Sequence, residues 1–319
     1  MESASDNSRT LVIIPCHNEE QTIASTIFHI KQCLGPCDVW VIDNCSKDDT
    51  SSIAKSCGAK VIAEPTKGKG FAVRAGFSKI NKNYDVIFLI DGDNTYSASS
   101  FNEAKNFIID DGYDMVVGTR IMNLKDRKDS IFPRGHIFGN KFLSFIFRTL
   151  FKINITDSLS GWRVMSLPFV KSFTGGESGF EIEGELNVHA YSIGAPTTEV
   201  YVEYRERPLG SISKLNTIKD GIRILKSQLR LYTSERPLVS YTFISSPWIL
   251  LSLFLTGRAL IGYLHTHLVE HFPSLIVGAA LFIVGVLLIT AGIIIEKVSI
   301  ISSSVKRSLY SKYAELDLN

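Results

Sequence analysis

The 319-residue chain lacks the cysteine pattern of a disulfide scaffold. Its five cysteines, Cys16, Cys33, Cys37, Cys45 and Cys57, are odd in number and all lie in the first fifth of the sequence. Cys16 and Cys45 fall inside strand-like segments, so the set reads as reduced cytosolic thiols. Cys33 and Cys37 have the spacing of half a metal site, but no second pair or histidine cluster accompanies them, and a structural role is expected. No charge sign dominates either. Lys+Arg number 34 and Asp+Glu 32, a formal net charge of +2, which gives no reason to expect nucleic acid as a partner. The first nine residues are polar and carry no apolar signal segment. No Gly-x-Gly-x-x-Gly follows the first strand-like run, which argues against a dinucleotide-dependent oxidoreductase.

Charge is missing altogether from two long stretches. Residues 237–257 and 272–295 are uncharged runs of 21 and 24 residues. About 20 apolar residues span the hydrocarbon core of a bilayer, so two transmembrane helices are expected, with a pair of buried core helices as the alternative. The connection 265–271 holds no Lys or Arg, whereas Lys297, Lys306, Arg307 and Lys312 follow the second run. The positive-inside rule then places the C-terminal tail, and the large N-terminal domain with it, in the cytoplasm. Arg258, near the outer end of the first span, is expected to snorkel to the interface.

What the rest of the chain does have is alternation. Short apolar runs at 11–15, 39–43, 60–63, 86–90 and 115–117 alternate with helical stretches at about 20–33, 49–57, 70–80 and 99–110. That order predicts a parallel α/β sheet with ligands at the carboxyl ends of the strands. Two later segments look amphipathic. Residues 131–151 interleave Phe132, Ile137, Phe138, Phe142, Phe145, Ile146, Phe147, Leu150 and Phe151 with Arg134, His136, Lys141 and Arg148, and Ile218, Ile222, Leu225, Leu229 and Tyr232 form a stripe opposite Lys219, Arg223, Lys226 and Arg230. Both fit helices lying on an anionic membrane surface, and both also fit ordinary core-facing helices.

The chemistry-bearing residues follow the strand-like runs. The first leads into Pro15-Cys16-His17-Asn18-Glu19, the second ends in Asp43-Asn44, a flexible Lys67-Gly68-Lys69-Gly70 opens a helix, and the fourth ends in Asp91-Gly92-Asp93. Two carboxylates separated by one glycine at a strand end can share a hard divalent cation, Mg²⁺ or Mn²⁺, which takes phosphate oxygens and waters as its other ligands.

With these motifs in series, the stretch from about 11 to 221 resembles the family 2 glycosyltransferases, and more narrowly their dolichol- or polyprenyl-phosphate branch. Gly118-Thr119-Arg120, Asp157 with Ser160-Gly161-Trp162-Arg163, and Tyr204-Arg205 followed by Gly210, Ser211, Ser213 and Lys214 complete the match. The resemblance implies a nucleotide-sugar-binding GT-A fold, Rossmann-like, with a mostly parallel sheet and flanking helices. It implies a donor site at Pro15, Asn18, Glu19, Asp43, Lys69, Gly70 and Asp91, with Asp91 and Asp93 as metal ligands. It implies that Arg120, Arg134 and Arg205 hold a lipid phosphate, together with Arg163, Ser213 and Lys214; arginine forks suit phosphate oxygens. One position departs from the pattern: some members carry a glutamine two residues after the second aspartate, where this chain has Thr95.

The expected organisation is a cytoplasmic GT-A catalytic domain at 1–215, with an interfacial segment at about 131–152. A juxtamembrane amphipathic helix at 216–236, a two-helix transmembrane hairpin at 237–296 and a cytoplasmic tail at 297–319 complete the chain. The expected activity is inverting transfer of one sugar from a UDP- or GDP-linked donor to polyprenyl phosphate. A phosphate monoester is already anionic at neutral pH, so the acceptor needs no general base. Glu181, Glu183 and Glu185 would supply a base for a hydroxyl acceptor, although a structural or arginine-orienting role is preferred. The alternatives are transfer to a lipid-linked saccharide hydroxyl and a non-catalytic membrane scaffold that senses nucleotide sugars. Two spans per chain are few to enclose a lipid path, which leaves self-association open.

Overall fold

The computed structural model describes residues 8–81, 84–120, 134–151, 155–205, 217–268 and 271–317, with the backbone alone for 134–142, 217–220 and 316–317. The chain forms two compact units, Met1–Gln228 with Val305–Asn319, and Leu229–Ser304.

In the first unit, five strands appear where the alternation of apolar runs predicts them: β1 (Thr10–Cys16), β2 (Asp38–Asp43), β3 (Lys60–Ala63), β4 (Val86–Leu89) and β5 (Met115–Thr119). Helices α1 (Ile23–Leu34), α2 (Thr50–Ser56), α3 (Lys69–Lys79) and α4 (Phe101–Ile109) connect them. Strands β1, β2, β4 and β5 are buried on both faces, which is why they read as continuous apolar runs rather than as alternating ones, whereas β3 leaves Lys60 and Ala63 exposed. Val12, Ile14, Val39 and Val41 enter one core layer with Ile23, Ile27 and Phe101 of the helices. Leu11, Ile13, Trp40 and Ile42 enter the opposite layer with Val73 and Phe77. Burying each such aliphatic side chain contributes roughly 1.5–3 kcal/mol.

Two further strands complete a seven-stranded sheet of order β3-β2-β1-β4-β6-β5-β7. The strand β6 (Arg163–Ser166) runs antiparallel to both β4 and β5, and β7 (Thr197–Tyr201) runs parallel to β5. The sheet is therefore mostly parallel with one reversed strand. Helices α5 (Arg134–Phe151), α6 (Leu167–Ser172) and α7 (Ile182–Ile193) fill the remaining crossovers, and α8 (Thr217–Glu235) follows β7. Phe147 and Phe151 of α5 are wholly buried, whereas Ile222 and Leu229 of the α8 stripe stand exposed.

The second unit holds α9 (Pro237–Thr266) and the greater part of α10 (Phe272–Asp317), two helices long and apolar enough to cross a membrane. Gly278, Gly285 and Gly292 recur every seventh residue on α10. A Cβ on each would lie 2.7 Å from Thr256, 2.5 Å from Ile249 and 2.8 Å from Tyr241 of α9. Small residues at such crossings let helix backbones approach closely where hydrophobic burial gives no drive. The helix α10 does not stop where its apolar run ends. Residues 297–317, with neither Gly nor Pro to break them, continue it. Within the first unit, Tyr310 donates to Asp114 at 2.8 Å and Arg307 to the Ser192 carbonyl at 3.1 Å.

Candidate active site

The loops after β1, β2 and β4 meet at the carboxyl ends of the parallel strands. Three non-glycine residues in these loops adopt positive φ: Asn18 (51°), Cys45 (60°) and Asn94 (57°). Side chains with a Cβ rarely adopt this conformation, and such strain collects at functional sites. The first two loops are tied together. The Asn18 amide donates to Ser46 Oγ at 3.0 Å, Asn18 Oδ1 accepts from the Lys47 amide at 2.8 Å, and the Glu19 amide donates to Thr50 Oγ1 at 2.8 Å. Asp43 accepts from the Ser46 amide at 3.1 Å and from Ser51 Oγ at 2.5 Å. Pro15 pairs with Ile42 within the sheet just beneath. Asn44, which the motif reading did not separate from Asp43, is buried and spans to the next loop, donating to the Thr66 carbonyl at 2.7 Å and accepting from the Gly68 amide at 2.6 Å.

That next loop delivers Lys69. Its Nζ lies 2.5 Å from Asp91 Oδ1 and 2.6 Å from Glu183 Oε1, with only a tenth of the lysine side chain exposed. Burial works against the ammonium, but the two carboxylates reverse this and hold its pKa above the ordinary lysine value. Burial pushes the Glu183 carboxyl up, and Lys69 pulls it back. Gly68 and Gly70 are closely covered by the segment after α6. The Gly70 amide donates to the Ser178 carbonyl at 3.0 Å, and a Cβ on Gly70 would fall 2.0 Å from the Glu177 carbonyl oxygen.

Asp93 is buried, and its Oδ1 accepts from Thr95 Oγ1 at 2.6 Å and from the Thr95 amide at 3.2 Å. The residue that departs from the family pattern thus holds the second aspartate in place. Gly161 lies against the first: a Cβ there would sit 2.5 Å from Asp91 Oδ2. The Gly161 amide donates to Tyr96 Oη at 3.1 Å, which fixes the 157–162 loop over the end of β4. Among the described residues no group of three or more His, Cys, Asp or Glu could hold a metal by itself. Asp91, Asp93 and Glu183 against Lys69 nevertheless leave two negative charges in excess. Hard oxygen donors with that excess fit one Mg²⁺ or Mn²⁺ that draws its other ligands from phosphate and water.

The arginines separate by environment. Arg120 lays the Nε–Nη2 edge of its fork on Asp157, at 2.7 and 2.8 Å, with the rings of Tyr96 and Tyr204 at 5.7 and 5.4 Å. Arg163 is wholly buried. It donates to Asn187 Oδ1 at 2.5 Å and to the carbonyls of Ser160, Glu183 and Ser158 at 3.2, 3.1 and 3.4 Å. Burial lowers its pKa to about 10. Its guanidinium therefore braces α7 against the 157–162 loop and presents no surface to a lipid. Arg205 is 42% exposed and pairs with Glu203 at 3.0 Å, while Tyr204 between them stacks edge-on against Tyr96. Arg134 opens α5, but its side chain lies outside the described residues, as do Ser213 and Lys214.

Residues 11–171 match the family model for glycosyl transferase family 2. The chain is similar to glycosyltransferase AglJ of Haloferax volcanii, 32% identical over 71% of this chain and 73% of that protein. It is also similar to the dolichyl-phosphate hexose transferase of the same organism, 29% identical over 70% and 94% of the two chains. Among solved structures, glucosyl-3-phosphoglycerate synthase from Mycobacterium tuberculosis, in complex with Mn²⁺, UDP and glucosyl-3-phosphoglycerate, superposes with a TM-score of 0.53. It is 19% identical and covers 71% of this chain and 81% of its own, a likeness of fold. The chain belongs to glycosyl transferase family 2.

Proposed function

We propose that this glycosyltransferase moves a single sugar from a UDP- or GDP-linked donor to polyprenyl phosphate, with inversion at the anomeric carbon. The observation that carries the reading is the arrangement at the end of β4. Asp91 on Lys69 and Asp93 on Thr95 form an oriented carboxylate pair that, counted with Glu183, leaves two unbalanced negative charges, the complement of a divalent cation that a nucleoside diphosphate would share. The exposed Ile222 and Leu229 of α8, the two spanning-length helices and the similarity to a dolichyl-phosphate hexose transferase support a lipid acceptor.

In this reading Asp91 and Asp93 hold the cation, and Lys69 faces the diphosphate. Bound there, the cation supplies charge neutralisation for the leaving nucleoside diphosphate. Arg120, Arg134, Arg205, Ser213 and Lys214 gather the acceptor phosphate. Its anionic oxygen attacks the anomeric carbon in line with the departing diphosphate, so positioning and charge stabilisation carry the rate. Glu183 Oε1 faces Lys69, which favours a structural role for it over that of a base.

Docking of the α10 extension in the same unit as the catalytic sheet supports a topology with both on one side of the membrane, the cytoplasmic side by the Lys/Arg asymmetry of the flanking segments. The test is a radiolabelled nucleotide-sugar panel incubated with polyprenyl phosphate and membranes containing the protein, followed by lipid extraction. Label in the lipid phase is expected with one donor. Label with none of the panel would contradict the reading.

A further inference from the structure

Glu183 combines two contacts that no other described residue brings together. Its side chain, 4% exposed in the first turn of α7, holds Lys69 at 2.6 Å. Its backbone carbonyl accepts from Arg163, which braces the loop carrying Asp157 and hence Arg120. Lys69 already has a partner in Asp91, so charge balance at Lys69 does not call for a second carboxylate. A buried ion pair is also a weak source of stability compared with apolar packing of the same volume. The two partners of Lys69 differ in exposure, however: the Asp91 side chain is 25% exposed at the strand end and Glu183 is enclosed. An ammonium has three donors, and these two carboxylates take two of them.

We propose that Glu183 is a positioning residue, the fixed anchor that keeps Lys69 aimed at the donor diphosphate while Asp91 exchanges the lysine for the incoming nucleotide and cation. The inference rests on the donor-site reading above. It assigns the three acidic residues at the start of α7 different tasks. Glu183 holds Lys69, Glu185 accepts from the amides of Gly176 and Glu177 at 2.6 and 3.0 Å, and Glu181 faces Arg223 at 3.7 Å. With Glu183 neutral, Lys69 would pair with Asp91 alone. The lysine and aspartate would then have to separate before either could serve the nucleotide.

The experiment is calorimetric titration of UDP and of GDP, each with Mn²⁺, into the full-length wild type and into Glu183→Gln, Lys69→Met and the double variant. Thermal unfolding of each variant establishes that it is folded. For the nucleotide that wild type binds, Glu183→Gln is expected to weaken affinity about tenfold and Lys69→Met more than that. The double variant should be no weaker than Lys69→Met, because an anchor matters only while its lysine is present. Acceptor KM should stay unchanged in Glu183→Gln, which a general loosening of the fold would not allow. If Lys69→Met alone fails to fold because Glu183 is left buried and unpaired, the double variant supplies the comparison. Undiminished affinity in a folded Glu183→Gln overturns the anchoring role alone, as do losses that multiply in the double variant. Wild type that binds neither nucleotide overturns the donor-site reading and the anchor with it.

Discussion

Asp91 Oδ2 and the α-carbon of Gly161 approach so closely that a Cβ on Gly161 would lie 2.5 Å from the carboxylate oxygen. A loop contributed by one end of the antiparallel strand β6 thus closes over the carboxylate that ends the parallel strand β4. In the proposed reading, residues assigned to the donor and to the acceptor, separate in sequence, share this boundary. Gly161→Ala is therefore expected to rotate Asp91 away from Lys69. Donor KM should rise by about tenfold or more, and thermal stability should shift by no more than the roughly 1–3 kcal/mol of an overpacked site. Steady-state kinetics with donor and acceptor varied separately checks it, and an unchanged donor KM would show that the loop does not shape the donor site.

Asp93→Ala should abolish divalent-metal-dependent turnover, by about a hundredfold or more, which is about 2.7 kcal/mol of barrier. Thr95→Val, which removes the hydroxyl that holds Asp93 at 2.6 Å, should lose less and keep its metal dependence. Metal titrations of initial rate on both variants, with unfolding curves to show intact folds, provide the check. Asp93→Ala with wild-type activity would remove the metal assignment.

Arg163 and Arg205 should behave as opposites. Arg163→Ala strips a buried cation from Asn187 and three carbonyls, and it is expected to cost about 3–5 kcal/mol of stability. Arg205→Ala loses only a half-exposed pair with Glu203, worth less than about 1 kcal/mol of stability. Its effect should fall on the lipid: about 1.5–3 kcal/mol for a lost charge-assisted contact, or roughly ten- to a hundredfold in acceptor-dependent rate. Lysine at 205 should rescue only partly. If Arg205→Ala collapses donor affinity and leaves the lipid dependence untouched, Arg205 belongs to the donor side.

The sequence makes some of these roles legible and hides others. The runs of β1, β2, β4 and β5 are legible because strands buried on both faces leave unbroken apolar segments ending in polar loops, and the short half-exposed β3 is legible from its β-branched Val61 and Ile62. The four-residue β6 begins with Arg163, and a charged first residue hides a strand whose cation is buried. The resemblance groups Arg163 with the acceptor ligands, and nothing in the sequence around it marks its burial. The helix α7 escaped notice because it is buried nearly all round, so no apolar stripe marks it. The contact between Lys69 and Glu183 joins residues 114 apart, which no motif spacing could show. The carboxylate motif, by contrast, was legible because its chemistry is local to one strand end.

Stability is expected to depend on pH through buried His189. Burial, then the charge of Lys306, pushes its pKa down to about 4 from an ordinary 6.5. It lies between the rings of Phe169 and Phe173, with Nε2 on Ser172. Because the folded value is the lower one, its contribution is complete above about pH 6.5 and is lost as pH falls towards 4. The loss amounts to about 3 kcal/mol. Thermal unfolding in detergent at pH 7 and pH 5 should show the decline in wild type and a shallower one in His189→Leu. Equal slopes would assign the pH dependence to other groups.

Transfer to a phosphate is tested by comparing acceptors. Purified protein with its labelled nucleotide sugar and Mg²⁺ or Mn²⁺ is given polyprenyl phosphate, dephosphorylated polyprenol, or a polyprenyl-diphosphate-linked saccharide. The organic-phase product is then counted and its anomeric configuration assigned. Label is expected on polyprenyl phosphate alone, with configuration inverted relative to the donor. Label on the saccharide hydroxyl, or on polyprenol as readily as on its phosphate, would contradict transfer to the phosphate.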